Sequence, residues 1–175
     1  MMETRDPVEM LKADHARVKQ LFAQFESADE EQKKELFAQI FKELQVHTKI
    51  EEEIFYPAVK KIDDESANEA VEEHNVVDFV LAGMKKLSPG DEAYDAKFTV
   101  LKENVEHHIE EEEKEMFPEA QEKIPGSQMS ELAQKMAERK QKLMSAGSGS
   151  RSPSTPSTRS RSGSGRSRKT ASKSR

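Results

Sequence analysis

The chain has 175 residues, 35% charged and 34% hydrophobic, with no Trp and no Cys. Disulfides, thiolate metal sites and cysteine nucleophiles are therefore excluded, and no run approaches the ~20 apolar residues of a membrane span. The formal net charge of −6 hides a division. Residues 146–175 hold eight Arg/Lys and no Asp or Glu, so the first 145 carry 20 basic residues against all 34 acidic ones. The N-terminus, Met-Met-Glu-Thr-Arg-Asp-Pro, lacks the apolar core of an export signal, and a cytoplasmic protein is expected.

Asp6-Pro7-Val8-Glu9 predicts a helix start, with Asp6 as cap, Pro7 at the first position and Glu9 where a capping-box acid belongs. The apolar positions Val8, Leu11, Val18, Phe22 and Phe25 then run in threes and fours, except for one gap that His15 fills. This helix is expected to end near Glu26. The second starts around Asp29–Lys33 and reaches about Tyr56, with the stripe Phe37, Ile40, Leu44, His47, Glu51, Ile54 and Ala58. Ser66-Ala67-Asn68-Glu69 is a capping-box pattern that opens a third helix, with Ala67, Ala70, His74, Val77, Leu81 and Met84 inward. Ser88-Pro89-Gly90 reads as a turn. A fourth helix from about Asp91 carries Tyr94, Phe98, Leu101, Val105, His108, Glu112 and Met116, and the remaining Met and Phe residues are expected in the core.

No strand-like alternation competes, so the fold class is all-α: an up-down-up-down four-helix bundle over residues 1–125. Residues 126–145 are expected to hold a short accessory amphipathic helix, centred on 130–144 with Leu132, Met136 and Leu143 on its apolar face. Residues 146–175, rich in Ser, Gly, Arg and Pro, read as a disordered basic tail.

The bundle has an internal repeat. His47-Thr48-Lys49-Ile50-Glu51 and His108-Ile109-Glu110-Glu111-Glu112 each place a carboxylate four residues after a histidine, on one helix face. Both are followed by an aromatic-proline pair, Tyr56-Pro57 and Phe117-Pro118. Each pair of helices adds a lone histidine, His15 or His74. Six polar residues, His15, His47, Glu51, His74, His108 and Glu112, thus lie on inward faces, where unpartnered burial would cost several kcal/mol apiece. A mixed nitrogen and oxygen donor set without sulfur suits iron, manganese or zinc better than calcium or magnesium. Two irons, each bound by two histidines and bridged by two carboxylates, would use all six.

His107 falls one step off the stripe and is read as a flank residue, although a slipped register would exchange it with His108. Glu52, Glu53, Glu110, Glu111 and Glu113 read mostly as a solvated acidic face, one of them a partner for a ligand imidazole; Glu52 and Glu53 are expected to face elsewhere than Glu51. Pro57 and Pro118 are expected to end or kink their helices.

The pattern His15…His47-x-x-x-Glu51…His74…His108-x-x-x-Glu112 resembles the hemerythrin-like HHE cation-binding family over about residues 7–120. The resemblance implies a four-helix bundle with a non-haem, carboxylate-bridged di-iron centre able to bind O2. One departure stands out. The oxygen-carrying members have a further histidine one turn after the position of His74, and here that position is Asp78, read as a flank residue. A small oxidant (O2, NO or peroxide) handled for sensing, storage or stress protection is the expected partner. The alternatives are an iron-homeostasis module, a peroxidase- or oxidase-like enzyme, and a nucleic-acid-associated protein. In the last case the tail would hold phosphate backbones or another anionic partner through counterion release.

Overall fold

The computed structural model describes residues 6–146; nearly all of the expected disordered tail lies outside them. The chain opens with α1 (Pro7–Glu26) and α2 (Glu30–Ile50), which runs through a wider π-helical turn, π1 (Glu51–Phe55), into α3 (Tyr56–Val59). Then come α4 (Asp64–Met84) and α5 (Glu92–Glu111), the latter continuing through π2 (Glu112–Met116) into α6 (Phe117–Lys123), and finally α7 (Gly126–Ala146). α1 packs on α2 and α4 on α5, giving the expected up-down-up-down bundle.

Short polar side chains set the helix starts. Asp6 accepts from the Val8 N–H at 2.9 Å, without a capping box from Glu9. Asp29 and Gln32 form a reciprocal capping box. The third long helix begins earlier than Ser66: Asp63 is its cap, accepting from the Ser66 N–H, and Asp64 and Glu65 add negative charge in its first turn, where the helix dipole favours it. The turn before α5 needs Gly90, at φ +100°, a left-handed conformation that a Cβ disfavours.

The two π-helical turns are the chief local departure from expectation. The Tyr56 N–H bonds back to the Glu51 carbonyl, and the Phe117 N–H to that of Glu112, five residues rather than four. Each turn starts on the glutamate of a His-x-x-x-Glu pair. Pro57 and Pro118 therefore neither end nor stop their helices. They fall in the first turn of the segment that follows, where a missing N–H is tolerated. The wide turn also rotates the inward face. Ile54, expected inside, is half-buried, while Phe55 and Tyr56 are buried.

A polar layer divides the core. Phe22, Phe25, Leu81, Phe98 and Leu101 belong to one apolar cluster, toward the α1–α2 and α4–α5 turns. Leu11, Ile50, Phe55, Ala70 and Phe117 belong to the other, toward the π-turns and α7. The four inward histidines sit between. α7 is longer than the expected accessory helix, 21 residues like α2, because Met129, Leu132, Ala133 and Met136 all find burial on α1, α2 and π1. Arg139 of α7 also forms a bidentate pair with Glu53 at 2.6 and 2.9 Å. Phe79, expected in the core, is 77% exposed because its position on α4 points away from both neighbouring helices' apolar faces.

Candidate metal centre

His15 on α1 and His74 on α4 each stand alone in an apolar stripe. His47 and His108 stand one helical turn before Glu51 and Glu112, the first residues of the π-turns. All six side chains are buried, Glu51 completely. They converge through their Nε2 atoms: His15 to His47 at 3.1 Å, His74 to His108 at 3.1 Å. Glu51 lies between the pairs, with Oε1 3.1 Å from His47 Nε2 and Oε2 3.4 Å from His74 Nε2. Glu112 Oε2 is 3.2 Å from His15 Nε2 and 3.6 Å from His108 Nε2. Two overlapping groups result, His15–His47–Glu51–Glu112 and Glu51–His74–His108, each with its donor atoms within 4.8 Å of one another.

The outward nitrogens explain why the inner ones are free. His15 Nδ1 lies 2.8 Å from Glu113 Oε1, His74 Nδ1 2.8 Å from Glu52 Oε1, and His108 Nδ1 2.6 Å from Glu73 Oε2. A carboxylate there holds the ring proton on Nδ1 and turns the Nε2 lone pair inward, the arrangement found around metal-bound imidazoles. His47 Nδ1 is the looser case, 3.7 Å from Asp14 Oδ2, because Lys140 of α7 pairs with the other Asp14 oxygen. The partners obey the repeat. Asp14 and Glu73 precede His15 and His74; Glu52 and Glu113 follow Glu51 and Glu112.

Electrostatics agree with this geometry. Burial alone would raise the Glu51 carboxyl, but His47 and His74 outweigh it and hold the group well below the usual carboxylate range. Burial alone would disfavour a charged His47, yet Glu51, Asp14 and Glu112 carry it up to about 10. Both Glu51 oxygens and Glu112 Oε2 are buried without a hydrogen-bond donor. Inward lone pairs of two imidazoles 3.1 Å apart repel unless a proton or a cation lies between them. Orphaned buried carboxylate oxygens carry the same penalty. The donor set therefore suits metal ions, and carboxylate plus imidazole without sulfur is compatible with iron, manganese or zinc.

The two half-sites differ at one ring. Phe117, which the π-turn swings inward, stacks on His15 at 5.7 Å with 9° between planes. Its counterpart in the other repeat, Tyr56, packs on His74 at 5.5 Å and adds a hydroxyl. That hydroxyl donates to Glu112 Oε1 at 2.8 Å and lies 3.2 Å from His74 Nε2 and 3.4 Å from His108 Nε2. Burial, then the charges of Glu112 and Glu51, hold its proton on, well above the usual phenol range.

All six sequence-predicted residues thus meet in one layer. His107 is 65% exposed, and Asp78 is exposed, accepting from Gln45 Nε2 at 2.6 Å. Both lie on the flank, as expected. Sequence reasoning missed Tyr56, Asp14 and Glu73; among the acidic runs it expected one imidazole partner without naming it, and the structure has two, Glu52 and Glu113. Glu52, expected to face elsewhere, is a partner of His74, because a π-turn brings the residue after the glutamate round to the next helix. The repeated order acid-His…His-x-x-x-Glu-Glu was the available signal for the carboxylates.

An apolar void of about 10 Å³ adjoins the layer, lined by Val18, Leu44, Val77, Val105 and Ile109 together with the four histidines. That is space for about one small molecule of water size. Among the described residues, no helix is long and apolar enough to cross a membrane.

Comparison with known proteins bears on the same residues. The chain is 27% identical over 137 residues to a protein named DNA nickase from Nostoc sp. (strain PCC 7120), a match covering 77% of this chain and 39% of that one. It is 28% identical over 138 residues to an uncharacterized protein of Mycobacterium tuberculosis (strain ATCC 25618 / H37Rv), covering 77% of this chain and 85% of the other. The crystal structure of the Mycobacterium kansasii homologue of that protein, described as a Hemerythrin HHE cation binding domain-containing protein, superposes with a TM-score of 0.73. The match has 28% identity and covers 81% of this chain and 89% of that one. The family model for the Hemerythrin HHE cation binding domain matches residues 6–120, which span the bundle and every residue of the polar layer, and the chain belongs to that family.

Proposed function

We propose that the polar layer holds two iron ions and that the protein binds O2 or a related small oxidant, NO or peroxide, at them. The observation that carries this reading is the convergence of four imidazole Nε2 atoms on three buried carboxylate oxygens that have no hydrogen-bond donor. His15 and His47 would hold one ion and His74 and His108 the other, with Glu51 and Glu112 shared between them. Bound iron would supply electrons and open coordination positions to a small oxidant.

The chain's own residues define what reaches that centre. Val18, Leu44, Val77, Val105 and Ile109 wall the adjoining void with hydrocarbon, which admits a small apolar molecule and disfavours ions. Glu113, Glu52 and Glu73 fix the imidazole orientation through Nδ1. Tyr56 keeps its proton and presents it at Glu112 Oε1. Asp78 takes the position where oxygen carriers have a fifth histidine and faces away, so this centre has one imidazole fewer. That shifts the balance from reversible carriage toward sensing, storage or oxidant consumption.

The test uses purified full-length protein: iron stoichiometry, then the visible spectrum of the reduced sample before and after O2. Two irons per chain and new charge-transfer bands support the reading. No iron, or bands unchanged by O2, NO and peroxide, remove it.

A second reading concerns nucleic acid. The chain carries eight basic and no acidic residues over 146–175, and a relative that aligns with 77% of the chain is named a DNA nickase. The aligned stretch is 39% of that relative, and we propose DNA association through residues 146–175. DNA retention that weakens steeply with salt and disappears on deleting 147–175 is the expected result.

A further inference from the structure

The internal repeat lets each face of the first half be compared with its counterpart in the second. α7 lies on the first half, over α1, α2 and π1, where Val46, Ile50 and Ile54 offer it an apolar surface. The corresponding positions on α5 and π2 are His107, Glu111 and Glu115. α7 does not cover them, and beside His107 a polar cavity of about 60 Å³ is lined by Glu111 and Glu115 together with Glu69 and Glu73 of α4.

We propose that this face is a surface cation site, Glu73–His107–Glu111, and the port through which a divalent cation enters the buried layer. The proposal rests on the buried layer being a metal centre. Glu73, His107 and Glu111 can each direct one donor atom to a common point, with those atoms within 4.8 Å of one another. His107 Nε2 is 3.2 Å from Glu111 Oε1 and 3.9 Å from Glu73 Oε1. The other Glu73 oxygen is 2.6 Å from His108 Nδ1, so a single carboxylate touches both the outer cluster and an inward histidine.

The cavity makes the same connection. Its outer wall includes Glu69 and Glu115, both exposed, and its inner wall includes His108 and Glu112. Glu112 is 1% exposed, and its Oε2 has no hydrogen-bond donor. About 60 Å³ is room for several waters, or for a cation that keeps part of its hydration shell while carboxylates replace the rest. A gradient of this kind, from exposed acids to a buried unpaired carboxylate, concentrates cations and draws them inward. The first half is closed differently. There α7 seals the face, and Lys140 sits on Asp14, the counterpart of Glu73.

Iron loading of the chelator-stripped full chain tests this directly. Fe2+ is added in air, and the ferric absorbance is followed by stopped flow. The His107→Ala/Glu111→Gln double variant is expected to load several-fold more slowly and to reach the wild-type iron content. Glu31→Gln, at the far end of α2, controls for net charge and should load at the wild-type rate. In parallel, iron-loaded protein is titrated with Mn2+, read by loss of the free-ion EPR signal. Wild type should bind one further ion, and the double variant at least tenfold more weakly. Equal loading rates, or equal Mn2+ titrations, overturn the proposal. A wild type that takes up no iron overturns the buried-centre reading itself, which the first measurement distinguishes.

Discussion

The two halves of the bundle have the same inner layer and different surroundings. Each contributes a lone histidine, a His-x-x-x-Glu pair, a π-turn that begins on the glutamate, and carboxylates behind the imidazoles. Beyond that layer they part. His15 of the first half lies under Phe117, which the second half supplies, and the first half is covered by α7; His74 of the second lies under Tyr56, which the first half supplies, and the second half opens through a polar cavity. The ligand geometry tolerates no variation because four donors must meet within a few ångströms. One layer out, a ring can gain a hydroxyl and a face can exchange valine and isoleucine for histidine and glutamate. The duplicated frame therefore gathers two similar clusters of candidate ligands, while the Tyr56 hydroxyl and the polar cavity both lie against the histidines of the second half.

The largest effect should come from a group that both halves share. Glu51 touches His47 with one oxygen and His74 with the other, so Glu51→Gln is expected to lose both irons together. A variant that keeps one iron would mean the halves bind independently. His108→Ala is expected to lose iron while His107→Ala keeps its final content, measured by metal analysis after loading to equilibrium.

Next come the carboxylates behind the histidines. Removing such a partner costs about 10–100-fold in metal affinity. Glu73→Gln should lie near the top of that range and Asp14→Asn near the bottom, since Glu73 is 2.6 Å from His108 and Asp14 is 3.7 Å from His47. Equal losses, measured by competition with a chelator, would show that the Asp14 contact tightens once metal binds.

Tyr56→Phe makes the halves alike. It strips the donor from Glu112 Oε1, a buried acceptor, which costs about 1–3 kcal/mol in the metal-free protein. The corresponding loss should be visible in urea unfolding of the chelator-treated chain. An unchanged midpoint would mean that the hydroxyl is not held at Glu112 in solution.

Most of the fold and the inward placement of all six polar residues were legible because both depend on a period of 3.6 residues, which the stripes display. Every stripe position from Ala67 to Met84 on α4 and from Tyr94 to Met116 on α5 is buried. What escaped depends on breaks in that period. The π-turns add a residue to one turn, so Tyr56, five positions after Glu51, comes to the inward face, and Ile54 leaves it. Glu52 and Glu73 could not be picked from their acidic neighbours, because what selects them is the helix across the way. The length of α7 was underestimated for a similar reason. Its sparse stripe has only four buried residues, but a ready apolar surface on α1, α2 and π1 receives them.

The smallest effect tests why the first half is looser. Burial raises the Asp14 carboxyl, but His47 and Lys140 outweigh that and hold it below its ordinary value. A carboxyl lowered in the folded state contributes stability that is present above its unfolded value near 3.8 and lost as pH falls through the folded one. Lys140→Met removes one of the two cations responsible, so the acid limb of the stability curve should flatten. At neutral pH the change should stay within about 1 kcal/mol, the range for a partly exposed ion pair. The same substitution frees Asp14 to move onto His47 Nδ1, and iron affinity should rise slightly toward that of the second half. If affinity falls instead, Lys140 positions Asp14 rather than competing for it, and the looser contact of the first half has another cause.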